Sequence, residues 1–389
     1  MRRRARCRDR HGGQLRPGRG PWPGRRDQRL RGHGRGGRGG GGLGLQSGYR
    51  CGRPAHHRSR LARVFQRARP HGEQDRALAA KGNPCRYALG PCSGEDRSVD
   101  PVLIVGCGYL GRRVAALEQS EGARVTGVVR SAGSARSLEK AGIEPRIADL
   151  DAPETLEAMP LHRARVYYLA PPPSSGTTDP RIEALLAQAE HEAARPRRVV
   201  LLSTTGVYGD CHGEWVDERR APRPQADRAR RRLAAEQVLQ TWAARTGIAA
   251  VILRVPGIYG PGRLPVERLR KGAPVLQEDE APYSNRIHVD DLARACLAAA
   301  RRGRPGAVYN ASDGQPTTMT DYFFQVADAL GLPRPPVLDR EQARRELSTG
   351  MLSYLAESKR IDNRRLREEL GVEFQYPDLA RGLASCLGE

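Results

Sequence analysis

Residues 102–117 read VLIVGCGYLGRRVAAL, and the order of residue types in that stretch decides how the rest of the chain is understood. Val102 to Val105 form a short apolar, β-branched run of the kind that makes a buried strand. Gly106, Gly108 and Gly111 follow with the spacing G-x-G-x-x-G, and a helical pattern begins at once. In a strand, loop and helix of this kind the first glycine allows a tight turn, the second lets backbone approach a pyrophosphate, and the third lets helix pack on strand. The free N–H groups at the helix N-terminus, together with the helix dipole, then favour an anion. Gly106, Gly108, Tyr109, Leu110 and Gly111 are therefore the candidate cofactor loop.

Working outward, strand-like and helix-like patterns alternate. ARVTGVVRS (123–131) is a second strand ending at Arg130 and Ser131. An NAD-selective site would place an acidic residue there for the ribose 2′-hydroxyl, whereas Arg130 suits a 2′-phosphate, so NADP is favoured over NAD. IEPRIADLDAP (143–153) supplies a third strand ending at Asp149 and Leu150; ARVYYLAPPP (164–173), PRRVVLLSTTGVYG (196–209) and GIAAVILRVPGIYGPGR (247–263) supply three more. RIEALLAQAEHEAA (181–194) and RRLAAEQVLQTWAART (231–246) are helical patterns between them. Repeated alternation predicts a doubly wound parallel α/β sheet with helices on both faces and its site at the strand C-termini. Asp149, Ala170, Pro171, Thr204 and Pro256 are thus expected to line one cleft. Pro171 to Pro173 lack the donors a central strand needs and suit a rigid wall beside the cofactor.

The formal charge of the chain is +22, which on its own suggests a polyanion partner, but 25 of the 66 Lys and Arg fall in residues 1–100 against only 7 acidic residues. The remainder is close to neutral. Segment 1–99, with stretches such as RGHGRGGRGGGGLGLQSG (31–48), has no apolar periodicity and reads as a disordered Arg/Gly-rich tail. It is also compatible with sequence upstream of the true start translated in error, and any nucleic-acid binding would depend on it alone. The domain reading is therefore a tail (1–99), a nucleotide-binding domain (100–258) and a mostly substrate-side region (259–389), some of whose segments return to the sheet. Cys7, Cys51, Cys85 and Cys92 lie in the tail, and Cys107, Cys211, Cys296 and Cys386 are scattered through the body, with no metal-ligand spacing. Free thiols, no metal, no membrane span and a cytoplasmic location are expected.

GCGYLG (106–111), STTGVYG (203–209), RVPGIYGPGR (254–263), NRIHVDDLARA (285–295) and VYNASDG (308–314) occur in an order that resembles the extended short-chain dehydrogenase/reductases, the group containing the NAD-dependent epimerases and dehydratases of nucleotide sugars. The resemblance spans about residues 101 to 385. YLAPPP (168–173) and the closing Ser358, Lys359, Arg360 and Asn363 are similar to the YeeZ-type branch. The resemblance implies a Rossmann-like cofactor domain and a smaller C-terminal substrate domain drawn from Tyr259–Leu292 and Thr317–Glu389. It also implies a Ser/Thr contact to substrate oxygen, matched by Thr204, and a Tyr-x-x-x-Lys pair on the following helix for proton transfer.

PQADRARRRLAAEQ (224–237) carries the departure. The LAAE tetrad places Arg232 at the lysine position and Arg228 at the tyrosine position. Arg232 still offers charge and ribose hydrogen bonds, but a guanidinium stays protonated and Arg228 cannot act as a general base. Tyr208, Tyr168, Tyr283, His212 and His288 are the other proton carriers to weigh, each against a structural role. The loop 262–286 adds Arg263, Arg268, Arg270 and Lys271, which suit either a phosphate or carboxylate or plain solvent. The expectation is an NADP-dependent oxidoreductase or epimerase-like enzyme acting on a small molecule, with a nucleotide sugar implied by the resemblance. The alternative is a dinucleotide-binding sensor without turnover. Oligomeric state is not legible.

Overall fold

A computed structural model describes residues 100–387. The tail reading, and the four cysteines within it, lie outside the described residues. Seven parallel strands form the central sheet: β1 (Val102–Val105), β2 (Val125–Val129), β3 (Glu144–Ile147), β4 (Arg165–Tyr168), β5 (Arg198–Thr204), β6 (Ala249–Val255) and β7 (Val308–Asn310). Their spatial order is 3-2-1-4-5-6-7, so the direction of winding reverses between β1 and β4 and opens a crevice at their C-terminal ends.

Side-chain alternation along β1 divides the core in two, because successive residues of a strand point to opposite faces. Val102 and Ile104 pack with α1 (Tyr109–Ser120), α2 (Ala132–Glu139) and the helix Val289–Arg302, through Val114, Leu138, Leu292 and Cys296. Leu103 and Val105 face the other way, against α3 (Pro180–His191) and α4 (Asp227–Thr246), through Ile182, Leu185, Leu239 and Trp242. The third strand stops at Ile147 rather than running to Asp149 and Leu150. It is an edge strand, and beyond it Asp149 turns into a loop whose N–H donates to Thr155 Oγ1 at 2.9 Å. Sequence reading missed β7, whose VYN is too short for a periodic signal. It pairs with β6 from Val308↔Ile252 to Asn310↔Arg254.

Two segments of the C-terminal region cover the sheet instead of forming the smaller part. The helix Val289–Arg302 and Leu366 and Leu370 of the helix Arg364–Leu370 belong to the same core as α1. The smaller part has its own apolar cluster, including Tyr259, Leu269, Val275, Tyr322, Phe323, Val326, Leu379 and Leu383. There the last helix closes so tightly on Tyr259 that a Cβ at Gly382 would lie 2.0 Å from the phenol oxygen.

One buried ion pair joins α4 to the sheet. Arg254 Nη2 of β6 lies 2.7 Å from Glu236 Oε2, with the two side chains 6% and 1% exposed. Ser203 Oγ of β5 also donates to Glu236. The Arg254 guanidinium lies 4.8 Å from the Tyr208 ring, and Tyr208 in turn donates to Asn310 Oδ1 of β7 at 2.7 Å. Removing one partner from such a pair leaves an uncompensated charge in the core. Glu236→Ala is expected to destabilise the fold by about 3–5 kcal/mol, read as a lower urea midpoint.

Candidate functional site

The loop after β1 is shaped by close backbone approach. Gly106 has φ +87°, and a Cβ there would sit 2.7 Å from the Ala170 nitrogen. A Cβ at Gly111 would be 3.1 Å from both the Gly106 carbonyl oxygen and Ile104, which is the helix-on-strand packing its position in the motif requires. Gly108, the N-cap of α1, has open space around it and supplies no side-chain cap, and the first turn contains no acidic residue. The opening amides of α1 therefore have no protein anion in front of them. The donor set and the glycine cradle both fit a pyrophosphate.

A cavity of about 480 Å³ lies before this helix end. Gly106, Gly108, Arg130, Ser131, Asp149, Leu150, Ala170 and Pro171 all line it. So does Arg112, which directly follows the motif and to which sequence reading gave no role. Arg112 and Arg130 are exposed at the rim. Arg181, also in the lining, is committed elsewhere: it donates to Asp151 at 2.7 Å and to the Pro171 carbonyl at 2.9 Å. Tyr109 and Leu110 do not line the cavity with their side chains. The Tyr109 hydroxyl donates to the Pro261 carbonyl at 2.9 Å and Leu110 is in the core, so both offer the cleft only backbone. Cys107 is buried behind the loop, and its thiol is pushed up to about 11 by that burial, which removes it from nucleophilic chemistry.

Thr204 and Pro256 face a second cavity, of about 400 Å³, so the single cleft expected from strand order is two adjoining spaces. Pro171 lines the first and Pro172 the second; Arg232 Nη2 crosses between them to bond the Ala170 carbonyl at 3.0 Å. The divide is thus built from proline backbone and an arginine. Thr204 Oγ1 accepts the Gly206 N–H at 3.1 Å, which leaves its own proton available to an oxygen in the cavity.

Arg228 and Arg232 both line this second space. Burial lowers the Arg232 pKa, and Asp179 is the leading charge opposing that shift. Arg228 donates to Ser353 Oγ at 3.0 Å and lies 4.0 Å from the Tyr354 ring centroid, which pins α4 to the helix Thr349–Leu355. The cavity does contain a lysine and tyrosines, but from outside α4. Lys359 Nζ donates to the Gly209 carbonyl at 2.6 Å and to Glu357 at 2.7 Å, and Tyr283, Tyr354 and Arg286 complete the wall. Sequence reading quoted Lys359 and Tyr283 without placing them here. Its one signal for Lys359 was the closing SKR…N segment.

The other proton carriers fall into structural places. Tyr168 is buried and its pKa is raised by burial; Tyr208, likewise buried, is pushed up to about 12. His288 is enclosed by Tyr259 and Tyr376, with ring centroids 5.3 and 3.9 Å away, and burial lowers its pKa, so it stays neutral at pH 7 as a packing residue. His212 is exposed and lies 3.1 Å from Asp210. Of the cations of loop 262–286, Arg286 lines the cavity, whereas Arg263, Arg268, Arg270 and Lys271 do not: Arg263 stacks on Tyr109, Arg268 bonds the Pro274 carbonyl and Arg270 pairs with Glu267.

The family profile described as "NAD dependent epimerase/dehydratase family" matches residues 102–312, more than half of the chain. The chain belongs to that family. The resemblance drawn from the motifs and the Rossmann-like sheet are thereby both shown. Among relatives of this epimerase/dehydratase chain, Protein YeeZ of Escherichia coli K12 is 29% identical over 286 residues, covering 71% of this chain and 96% of YeeZ. A solved structure of a functionally unknown conserved protein from Silicibacter pomeroyi is 33% identical, with TM-score 0.63, covering 74% of this chain and 98% of that one. The UDP-glucose 4-epimerase of Thermotoga maritima, solved with UDP-glucose, shares the fold at 22% identity and TM-score 0.61, covering 74% and 97%. Among the described residues, no helix is long and apolar enough to cross a membrane.

One buried carboxyl near this family member's second cavity titrates in an accessible range. Burial pushes Asp313 up to about 7, against the pull of the Gln315 N–H and of Arg286. The native state then holds a proton that the unfolded chain has already lost, so stability falls as pH rises from about 4 through 7. Asp313→Asn is expected to be more stable than the parent by about 1–3 kcal/mol at pH 8. The difference should fade toward pH 5, as thermal melts across that range will show.

Proposed function

We propose that the protein is an NADP(H)-dependent oxidoreductase or epimerase-like enzyme for a small molecule that works without the family's tyrosine and lysine on α4. The observation that carries this is the uncapped N-terminus of α1, facing a cleft whose β2 end offers Arg130, with Arg112 beside it, and no acidic residue. An exposed guanidinium pairs well with a ribose 2′-phosphate, while an acidic residue there would repel one. When bound, the nicotinamide supplies hydride exchange. The backbone of Gly106 to Gly111 would hold the pyrophosphate and Arg112 and Arg130 the 2′-phosphate, between walls shaped by Ala170 and Pro171.

In the second cavity Thr204 orients a substrate oxygen, and Arg232 supplies the positive charge that the family's lysine would bring. Neither Arg228 nor Arg232 exchanges a proton near neutral pH, so they bind and orient while proton transfer falls to other groups or to water. Nucleotide sugars, which the Thermotoga neighbour's UDP-glucose suggests, are the first substrate panel. The replacement of both family residues by arginine also favours a second reading, a dinucleotide sensor without turnover.

Calorimetry on the full chain tests the proposal. NADP⁺ and NADPH are expected to bind at least about tenfold more tightly than NAD⁺ and NADH, a difference of about 1.4 kcal/mol. Arg130→Ala should remove most of that preference and leave NAD⁺ binding unchanged. No saturable binding of any nicotinamide nucleotide at millimolar concentration would overturn the proposal. Nucleotide binding with no NADPH consumption across a broad carbonyl panel would select the sensor.

A further inference from the structure

The lining of the second cavity carries Arg228, Arg232, Arg286 and Lys359, and Glu357 is the one carboxylate among the lining residues. Glu357 is held by Lys359 at 2.7 Å and reaches Arg228 only at 4.0 Å. Arg232 and Arg286 have no carboxylate within 4.0 Å among the described residues. Arg232 gives one hydrogen bond to the Ala170 carbonyl, and its Nη1 finds no partner. Arg286 bonds the Asn285 carbonyl at 2.9 Å and lies 4.1 Å from the Tyr322 ring.

Two other arginines against the sheet are met by carboxylates, whereas the buried Arg231 bonds only the Gly176 carbonyl among the described residues. Arg254 is paired with Glu236 at 2.7 Å and Arg165 with Glu118 at 2.8 Å. Placing a guanidinium out of water without a counter-ion is strongly unfavourable unless something else supplies the charge. Two half-buried guanidinium groups with no carboxylate within ion-pair distance on the wall of one cavity point to an anionic occupant, and planar guanidinium donors match the paired oxygens of an oxyacid. The acidic groups that act on them do so from beyond 4.0 Å: Asp179 and Glu236 on Arg232, with Glu236 held by Arg254, and Asp313 on Arg286.

We propose that Arg232 and Arg286 form a receptor for an oxyanion carried by the substrate, so that the substrate is a small acid whose carboxylate or phosphate lies in the same cavity as the Thr204 hydroxyl. This rests on the reading of the neighbouring cleft as the nicotinamide nucleotide site, and it deepens that reading by naming the substrate class. The cavity volume of about 400 Å³ suits a metabolite-sized ligand. Arg286 enters from the segment that also brings Tyr283 and Asn285, so the receptor closes only when the C-terminal region is folded against the sheet.

The test is calorimetric titration of the full chain with malonate and, separately, inorganic phosphate, at ionic strength fixed with chloride and with and without NADP⁺. Saturable binding of at least one of these to the nucleotide-free protein is expected. The better ligand tells whether the group is a carboxylate or a phosphate. Arg232→Met and Arg286→Met should each weaken binding tenfold or more, while Arg230→Ala, an exposed α4 residue paired with Asp227, should leave it unchanged. If both methionine variants fail to fold, the wild-type titration still decides. No saturable binding of either probe, or unchanged binding in folded methionine variants, overturns the receptor. NADP⁺ binding without oxyanion binding would defeat this proposal alone; oxyanion binding without any nucleotide binding would defeat the cofactor reading and leave the receptor standing.

Discussion

The site depends on the buried contact between Glu236 and Arg254. Glu236 lies four residues after Arg232 and eight after Arg228, so the three side chains share one face of α4. Fixing Glu236 against β6 and Ser203 of β5 fixes the rotation of the helix about its axis. That rotation directs Arg228 and Arg232 at the Thr204 cavity instead of at solvent. The arginines at the start of α4 go to different places: Arg230 is exposed, Arg231 donates to the Gly176 carbonyl, and Arg228 and Arg232 line the cavity.

Under the proposed reading, an arginine at the lysine position changes what this cavity can do. A lysine can give up its proton when its surroundings demand it, and so can tune a neighbouring phenol; a guanidinium keeps its charge under the same pressure. Arg232 therefore acts as a fixed cation. The lysine that does reach the cavity, Lys359, is anchored by the Gly209 carbonyl and Glu357, and so is set up as an element of structure and field. The cavity thus gathers cations from distant segments, Arg228 and Arg232 of α4 with Arg286 and Lys359.

Much of the fold was legible from the sequence because it is local. The apolar run at 102–105, the glycine spacing and the strand–helix alternation are short-range consequences of backbone sterics and side-chain period. They placed Gly106, Gly108, Arg130, Ser131, Asp149, Ala170 and Pro171 on the same cavity. What was not legible is what depends on the tertiary path of the last hundred residues. Arg286 and Lys359 have no periodic or motif signature that says which cavity they face, and Arg112 differs from Arg113 only by the turn of the helix: Arg113 swings to Asp290 at 2.7 Å while Arg112 stays at the nucleotide cleft. Between the two spaces lie Pro171, Pro172 and the bond from Arg232 to the Ala170 carbonyl, a long-range contact that no sequence pattern encodes.

That bond has a thermodynamic corollary. Ala170 is the floor of the nucleotide cleft and, through its carbonyl, a partner of the cation in the adjoining cavity. Any occupant that draws the Arg232 guanidinium toward itself loosens its hold on Ala170, and any occupant that reshapes Ala170 alters the pull on Arg232. Linkage then requires the influence to run equally both ways, by the same factor in each affinity. Two small ligands that never touch would communicate across one peptide group.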